Sequence, residues 1–151
     1  MTPEEKARQK IDQWFADAGW EVINRDEYEP TSTAVAIREG LLKDNLEADY
    51  FLFINGKAVG VLEAKREETD AFSSKVCEQA ALYARSVPNI YQTYQKPLPF
   101  IFTSNGKELY FCDFREQDHY FKQIMTIPTP HELVKKLGIN DYFAGLPALR
   151  K

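Results

Sequence analysis

"EADYFLFINGKAVGVLEAKRE", residues 47–67, decides the fold. Two apolar runs flank Asn55-Gly56, the dipeptide that most strongly signals a tight hairpin turn. Both parities of each run are apolar: Phe51 and Phe53 against Tyr50, Leu52 and Ile54, then Val59 and Val61 against Ala58, Leu62 and Ala64. Strands of that kind need cover on both faces, so the pair belongs in the middle of a sheet. Yet Asp49, Glu63 and Lys65 stand within or at the end of those runs. Buried charges are expensive unless paired or bound to metal, so the three demand a chemical reason.

The flanking sequence supplies the cover. In "TPEEKARQKIDQWFADAGW" (2–20), Thr2 is a cap candidate, Pro3 suits the first helical position, and acids fill the first turn. Ala7, Ile11, Trp14, Phe15 and Ala18 then form one apolar stripe, and Gly19 supplies the stop. "WEVINRDEY" (20–28) alternates as a first strand, whereas "EPTSTAVAIREGLLKDNL" (29–46) mixes turn residues with short apolar pieces and reads as an unassigned connection. "DAFSSKVCEQAALYARSV" (70–87) sets Phe72, Val76, Ala80, Tyr83 and Val87 on one helical face, with Pro88 just beyond. "LPFIFTSNGKELYFCDF" (98–114) repeats the hairpin form with Ser104, Asn105 and Gly106 at the tip, and "TPHELVKKLGI" (129–139) is a short capped helix. The order predicts an α/β fold, a central mixed β-sheet flanked by helices on both faces. The domain is expected over 1–137, with 138–151 as a linker because "NDYFAGLPALRK" has no pattern of its own.

The 151 residues, 44% hydrophobic and 28% charged, suffice for one core. A net charge of −4 argues against holding a polyanion by global charge, though a local strip of Lys65, Arg66, Lys75 and Arg85 would serve. Cys77 and Cys112 lie in apolar neighbourhoods without zinc spacing and are expected as buried reduced thiols. His119 and His131 lie in polar surroundings with no nucleophile motif and are expected at the surface. Neither a membrane span nor a secretory signal is present, which predicts cytoplasmic residence.

Parity links the hairpin to its charges. Glu63 and Lys65 are two apart on one strand and project from the same face, about 7 Å apart along the chain. A strict two-residue Asn55-Gly56 loop would put Asp49 and Glu63 on opposite faces, whereas an odd-length loop or a bulge brings them together. If they converge, two carboxylates and an ammonium group suit metal-assisted phosphodiester hydrolysis. Hard oxygen donors suit Mg²⁺, which lowers the pKa of a bound water, and Lys65 can orient that water and offset developing charge. The alternative is that Lys65 simply neutralises Glu63 in a buried ion pair.

These residues resemble a known pattern. "ADYFLFINGKAVGVLEAKRE" is similar to the D…ExK core of the PD-(D/E)xK nucleases. Together with Gln79 and Tyr83 of "EQAALYA", a QxxxY signature, it resembles the N-terminal endonuclease domain of the restriction (motor) subunit of type I restriction-modification enzymes. The likeness spans residues 4–115, and its first helix also closes on Gly-Trp. Ala48 stands where the family's nominal proline would be. The resemblance implies a PD-(D/E)xK (restriction-endonuclease-like) fold cleaving double-stranded DNA. It implies Asp49 and Glu63 as Mg²⁺ ligands, with the backbone carbonyl of Ala64, and Lys65 as the catalytic lysine. Gln79 and Tyr83 become auxiliary residues that touch the DNA backbone or steady Lys65. Arg66 and Lys75 of the local basic strip are the expected DNA contacts. A first-helix glutamate is implied too, either Glu4 or Glu5.

No GxxxxGK(S/T) phosphate loop occurs, so ATP belongs to helicase-like motor domains expected C-terminal to these residues, which "LPALRK" resembles the approach to. Methyltransferase and specificity subunits are the further partners implied. A non-catalytic DNA-binding or docking module within the same complex is the alternative.

Overall fold

The computed structural model describes residues 1–29, 33–117 and 120–138. The elements run α1 (Pro3–Asp17), β1 (Glu21–Asn24), β2 (Ala34–Leu41), β3 (Glu47–Ile54), β4 (Lys57–Ala64), α2 (Ser74–Ala84), β5 (Gln92–Thr93), β6 (Phe100–Ser104), β7 (Leu109–Asp113), β8 (Lys122–Ile124) and α3 (Pro130–Lys136). The strands form one mixed sheet in the order β1-β2-β3-β4-β6-β7-β8, with β5 pairing β4 off that path. β1 is parallel to β2, and β4 is parallel to both β5 and β6; the remaining pairs are antiparallel.

The central hairpin turns through Asn55 and Gly56, both in the left-handed region at φ 51° and 79°. Two successive positive φ values match the twist of a two-residue hairpin, which is why Asn-Gly is favoured there. Ile54 pairs with Lys57 and Phe53 with Ala58, but Leu52 pairs with Gly60. Val59 is therefore an extra residue on β4, a β-bulge that shifts the register by one. Its effect is visible in the packing. Val59 joins the core of Leu62, whereas Ala58 joins that of Val61.

Helices cover both sheet faces. Ile11 and Phe15 of α1, with Leu133 and Val134 of α3, pack among Tyr50, Leu52, Leu62, Phe100 and Phe102. Ala80, Tyr83 and Ala84 of α2 share the other core with Val35, Phe51, Phe53, Val61 and Ile101. α1 begins as expected: Thr2 Oγ1 accepts from the Glu5 N–H, and Pro3 takes the first turn.

The expected connection over 29–46 is a correction. It holds β2, which lies between β1 and β3; its first four residues, Ala34 to Ile37, are buried in succession. Phe72 also differs from expectation. It precedes the Ser73 cap of α2 and lies exposed, stacked on Tyr110 at 4.9 Å between ring centroids. Cys112 is buried and Cys77 only partly so, both as free thiols. His131 is exposed; His119 and residues 139–151 of the expected linker lie outside the described residues.

Candidate active site

The site lies where β3 begins and β4 ends. The bulge at Val59 sets Tyr50 opposite Leu62, and one step further along the same register Asp49 faces Glu63. Asp49 donates its N–H to Glu63 Oε2 at 3.1 Å, and Asp49 Oδ2 accepts from the Ala64 N–H at 2.8 Å. The structure thus brings Asp49 and Glu63 together.

Glu63 is 2% exposed. Burial, followed by the negative charge of Asp49, pushes its carboxyl up to about 8; the charge of Lys65 pulls the other way. The N–H of Lys65 donates to the Ser104 carbonyl at 2.8 Å, continuing the attachment to β6. Its ammonium acts on Glu63 at a distance, but among the described residues it forms no ion pair. The simple Lys65–Glu63 ion pair is therefore not what the strand end contains.

Sequence reasoning missed Arg8. From α1, its Nη2 donates to Asp49 Oδ1, and its Nη1 lies 3.4 Å from Glu39 Oε1. Burial works against the guanidinium charge, but Asp49 and Glu39 outweigh it and hold the Arg8 pKa above its ordinary value. The neighbouring turn is ordered as well: Tyr50 donates its hydroxyl to Asp12 Oδ1, and Asp12 Oδ2 accepts from Arg38 at 3.1 and 3.2 Å. Arg8 was legible only as a polar-face residue of α1, because its partners lie 31 and 41 residues away.

Glu4 and Glu5 are exposed. Among the described residues, no group of three or more His, Cys, Asp or Glu side chains gathers, so α1 adds no third carboxylate to Asp49 and Glu63. Gln79 and Tyr83 do meet: Gln79 Nε2 donates to the Tyr83 hydroxyl at 3.1 Å, one turn apart on α2. Lys75 is exposed on the same helix, and Arg66 is exposed with Glu68 at 3.7 Å. Arg85 lies over the Phe114 ring at 5.5 Å. A basic cluster not foreseen from sequence surrounds Glu67, where Lys107 and Lys10 lie at 3.2 and 3.9 Å.

The model of the type I restriction enzyme R protein N terminus matches residues 35–120, more than half of the chain. No curated protein matches. A solved fragment described as "a putative HsdR subunit of a type I restriction enzyme", from Vibrio vulnificus, is similar with a TM-score of 0.61 and 23% identity. The likeness covers 93% of this chain and 27% of that one, and it shows the fold to be restriction-endonuclease-like. No helix of the described residues is long and apolar enough to cross a membrane. A family model that takes in β2 through β7, with both acidic residues and the lysine, assigns the chain: it belongs to the family of type I restriction enzyme R protein N termini.

Proposed function

We propose that this domain catalyses Mg²⁺-dependent endonucleolytic cleavage of double-stranded DNA as the nuclease part of a type I restriction enzyme R subunit. The observation that carries the reading is the bulge at Val59, which sets a buried Glu63 against Asp49, two residues before Lys65. The donor set fits the ion. Two carboxylates at a strand end offer hard oxygens, and burial together with the charge of Asp49 raises the Glu63 carboxyl above its ordinary value, which a bound cation would offset. Asp49, Glu63 and the carbonyl of Ala64 would hold Mg²⁺. When bound, the ion supplies Lewis acidity and an acidified water.

The chain's own groups do the rest. The Ala64 N–H fixes Asp49 through Oδ2, and the Asp49 N–H fixes Glu63 through Oε2, so both carboxylates are oriented before substrate arrives. Lys65, without a carboxylate partner among the described residues, is available to orient the attacking water and to offset charge on the phosphoryl oxygens. Gln79 and Tyr83, already bonded to each other, are auxiliary groups toward Lys65 or the DNA backbone. Arg66 and Lys75 are exposed cations suited to phosphate contacts. ATP-driven motor domains in cis, and methyltransferase and specificity subunits, complete the proposed assembly, which is cytoplasmic.

A docking module without chemistry would not require a buried Glu63 to be set beside a partly buried Asp49, since bringing two like charges together costs stability. Plasmid cleavage by the full complex, with ATP and Mg²⁺, tests the proposal. Lys65→Ala should abolish cutting, and cutting at the wild-type rate would refute the role given to Lys65.

A further inference from the structure

We infer that Arg8 is the resident counter-ion of the Asp49–Glu63 pair, holding Asp49 Oδ1 in the metal-free chain and competing there with the divalent ion. The inference rests on the metal-site reading above. Asp49 has one oxygen bound to the backbone, Oδ2 to the Ala64 N–H, and Arg8 Nη2 takes the other. The cation that approaches Asp49 must therefore displace Arg8 or share an oxygen with it.

Two further features mark the contact as provisional. The Nε of Arg8 is buried with no hydrogen-bond partner among the described residues. A buried donor without an acceptor is costly, so charge attraction and not a completed hydrogen-bond set holds the guanidinium in place. A second acceptor also stands ready. Glu39, within β2, adopts φ 53°, the left-handed region that a non-glycine residue enters only under constraint, and its Oε1 lies 3.4 Å from Arg8 Nη1. Glu39 is exposed while Asp49 is largely buried.

The charges make the exchange sensible. With both carboxylates ionised, Asp49, Glu63, Lys65 and Arg8 together are neutral without a metal. A dication adds two positive charges to that group, and leaning Arg8 onto Glu39 removes one of them. Arg8 is thus a positioning residue: it keeps the carboxylates together without metal and yields one oxygen when metal arrives.

Calorimetric titration with Mn²⁺, in the absence of DNA, tests the exchange on this chain as wild type, Arg8→Gln, Arg8→Lys and Asp49→Asn. Arg8→Gln should bind on the order of tenfold more tightly than wild type, because a like charge at the site is removed. Arg8→Lys should fall between them, since lysine keeps the charge but loses the fork that spans Asp49 and Glu39. A residue serving only to hold α1 on the sheet would give weaker binding when removed. Equal or weaker binding by Arg8→Gln, with Asp49→Asn abolishing binding, overturns the inference and leaves the metal site standing. Absence of Mn²⁺ binding in both wild type and Arg8→Gln, or wild-type binding by Asp49→Asn, overturns the metal site and the inference with it. Should Arg8→Gln fail to fold, Arg8→Lys decides: tighter binding than wild type supports the exchange, and binding equal to or weaker than wild type overturns it.

Discussion

Asp49 and Glu63 clasp one another across the end of the central hairpin, the N–H of Asp49 donating to Oε2 of Glu63 at 3.1 Å. The regular pairing of β3 with β4 extends only to Tyr50 and Leu62. Beyond it, side-chain oxygens replace backbone carbonyls as acceptors, since Asp49 Oδ2 also takes the Ala64 N–H. The site is thus built from the point where the two strands cease to pair, and the extra residue Val59 determines which side chains meet there.

Beside the bulge, β4 approaches β6 closely at Gly60. A Cβ added to Gly60 would lie 2.4 Å from the Phe100 carbonyl oxygen, a backbone atom that cannot swing aside. Gly60→Ala should destabilise the domain by about 1–3 kcal/mol, the usual cost of overpacking. Urea denaturation followed by circular dichroism measures this, and a midpoint equal to wild type would show that the strands part without cost.

Tyr83 separates packing from chemistry. It is 9% exposed and accepts a hydrogen bond from Gln79. Tyr83→Phe keeps the ring and should cost only about 0.5–1.5 kcal/mol, while cleavage by the assembled enzyme should fall if the hydroxyl and Gln79 act together toward the site. A melting curve and a cleavage assay on the same variant check both halves.

Much of this arrangement is legible in the residues. Thr2-Pro3, the 7–11–15 stripe and Asn55-Gly56 each state a local rule that the structure obeys. β2 is less legible for a physical reason: its strand contains Glu39 in a left-handed conformation, and Arg38 beside it pairs with Asp12 on α1. Two adjacent charges thereby interrupt the alternation expected of a strand, although both have partners across the fold. Arg8 escapes for the same reason, because helical periodicity records which face is polar but not which distant carboxylate that face will meet. The parity of Asp49 and Glu63 is deducible as a requirement for a bulge, but its position at Val59 follows from packing against both cores.

Asp113 predicts an acid limb of stability. It is 5% exposed; its Oδ1 accepts from the Arg115 N–H and Nε, both at 3.0 Å, and Oδ2 from Nη2 at 2.7 Å. Burial pushes its carboxyl up, but the bonds and charge of Arg115 outweigh that and hold it below its ordinary value. A folded pKa below the unfolded one contributes stability above roughly pH 4 that is lost as pH falls through the folded value. Asp113→Asn should cost about 1–3 kcal/mol at pH 7, with the gap to wild type narrowing as pH falls below the ordinary carboxylate range. Denaturation midpoints against pH for both proteins measure it, and a gap that widens on acidification would contradict the assignment.

Cleavage of supercoiled plasmid by the assembled type I enzyme, with ATP and Mg²⁺ and with ATP hydrolysis followed in the same reaction, tests the nuclease account most directly. Glu63→Gln preserves shape but removes the buried charge that would hold the ion. The account predicts cleavage reduced by at least about 100-fold, while ATP hydrolysis continues at the wild-type rate because the motor's phosphate site lies elsewhere. Wild-type cleavage by Glu63→Gln, or loss of ATP hydrolysis from a variant that remains folded and assembled, would contradict it.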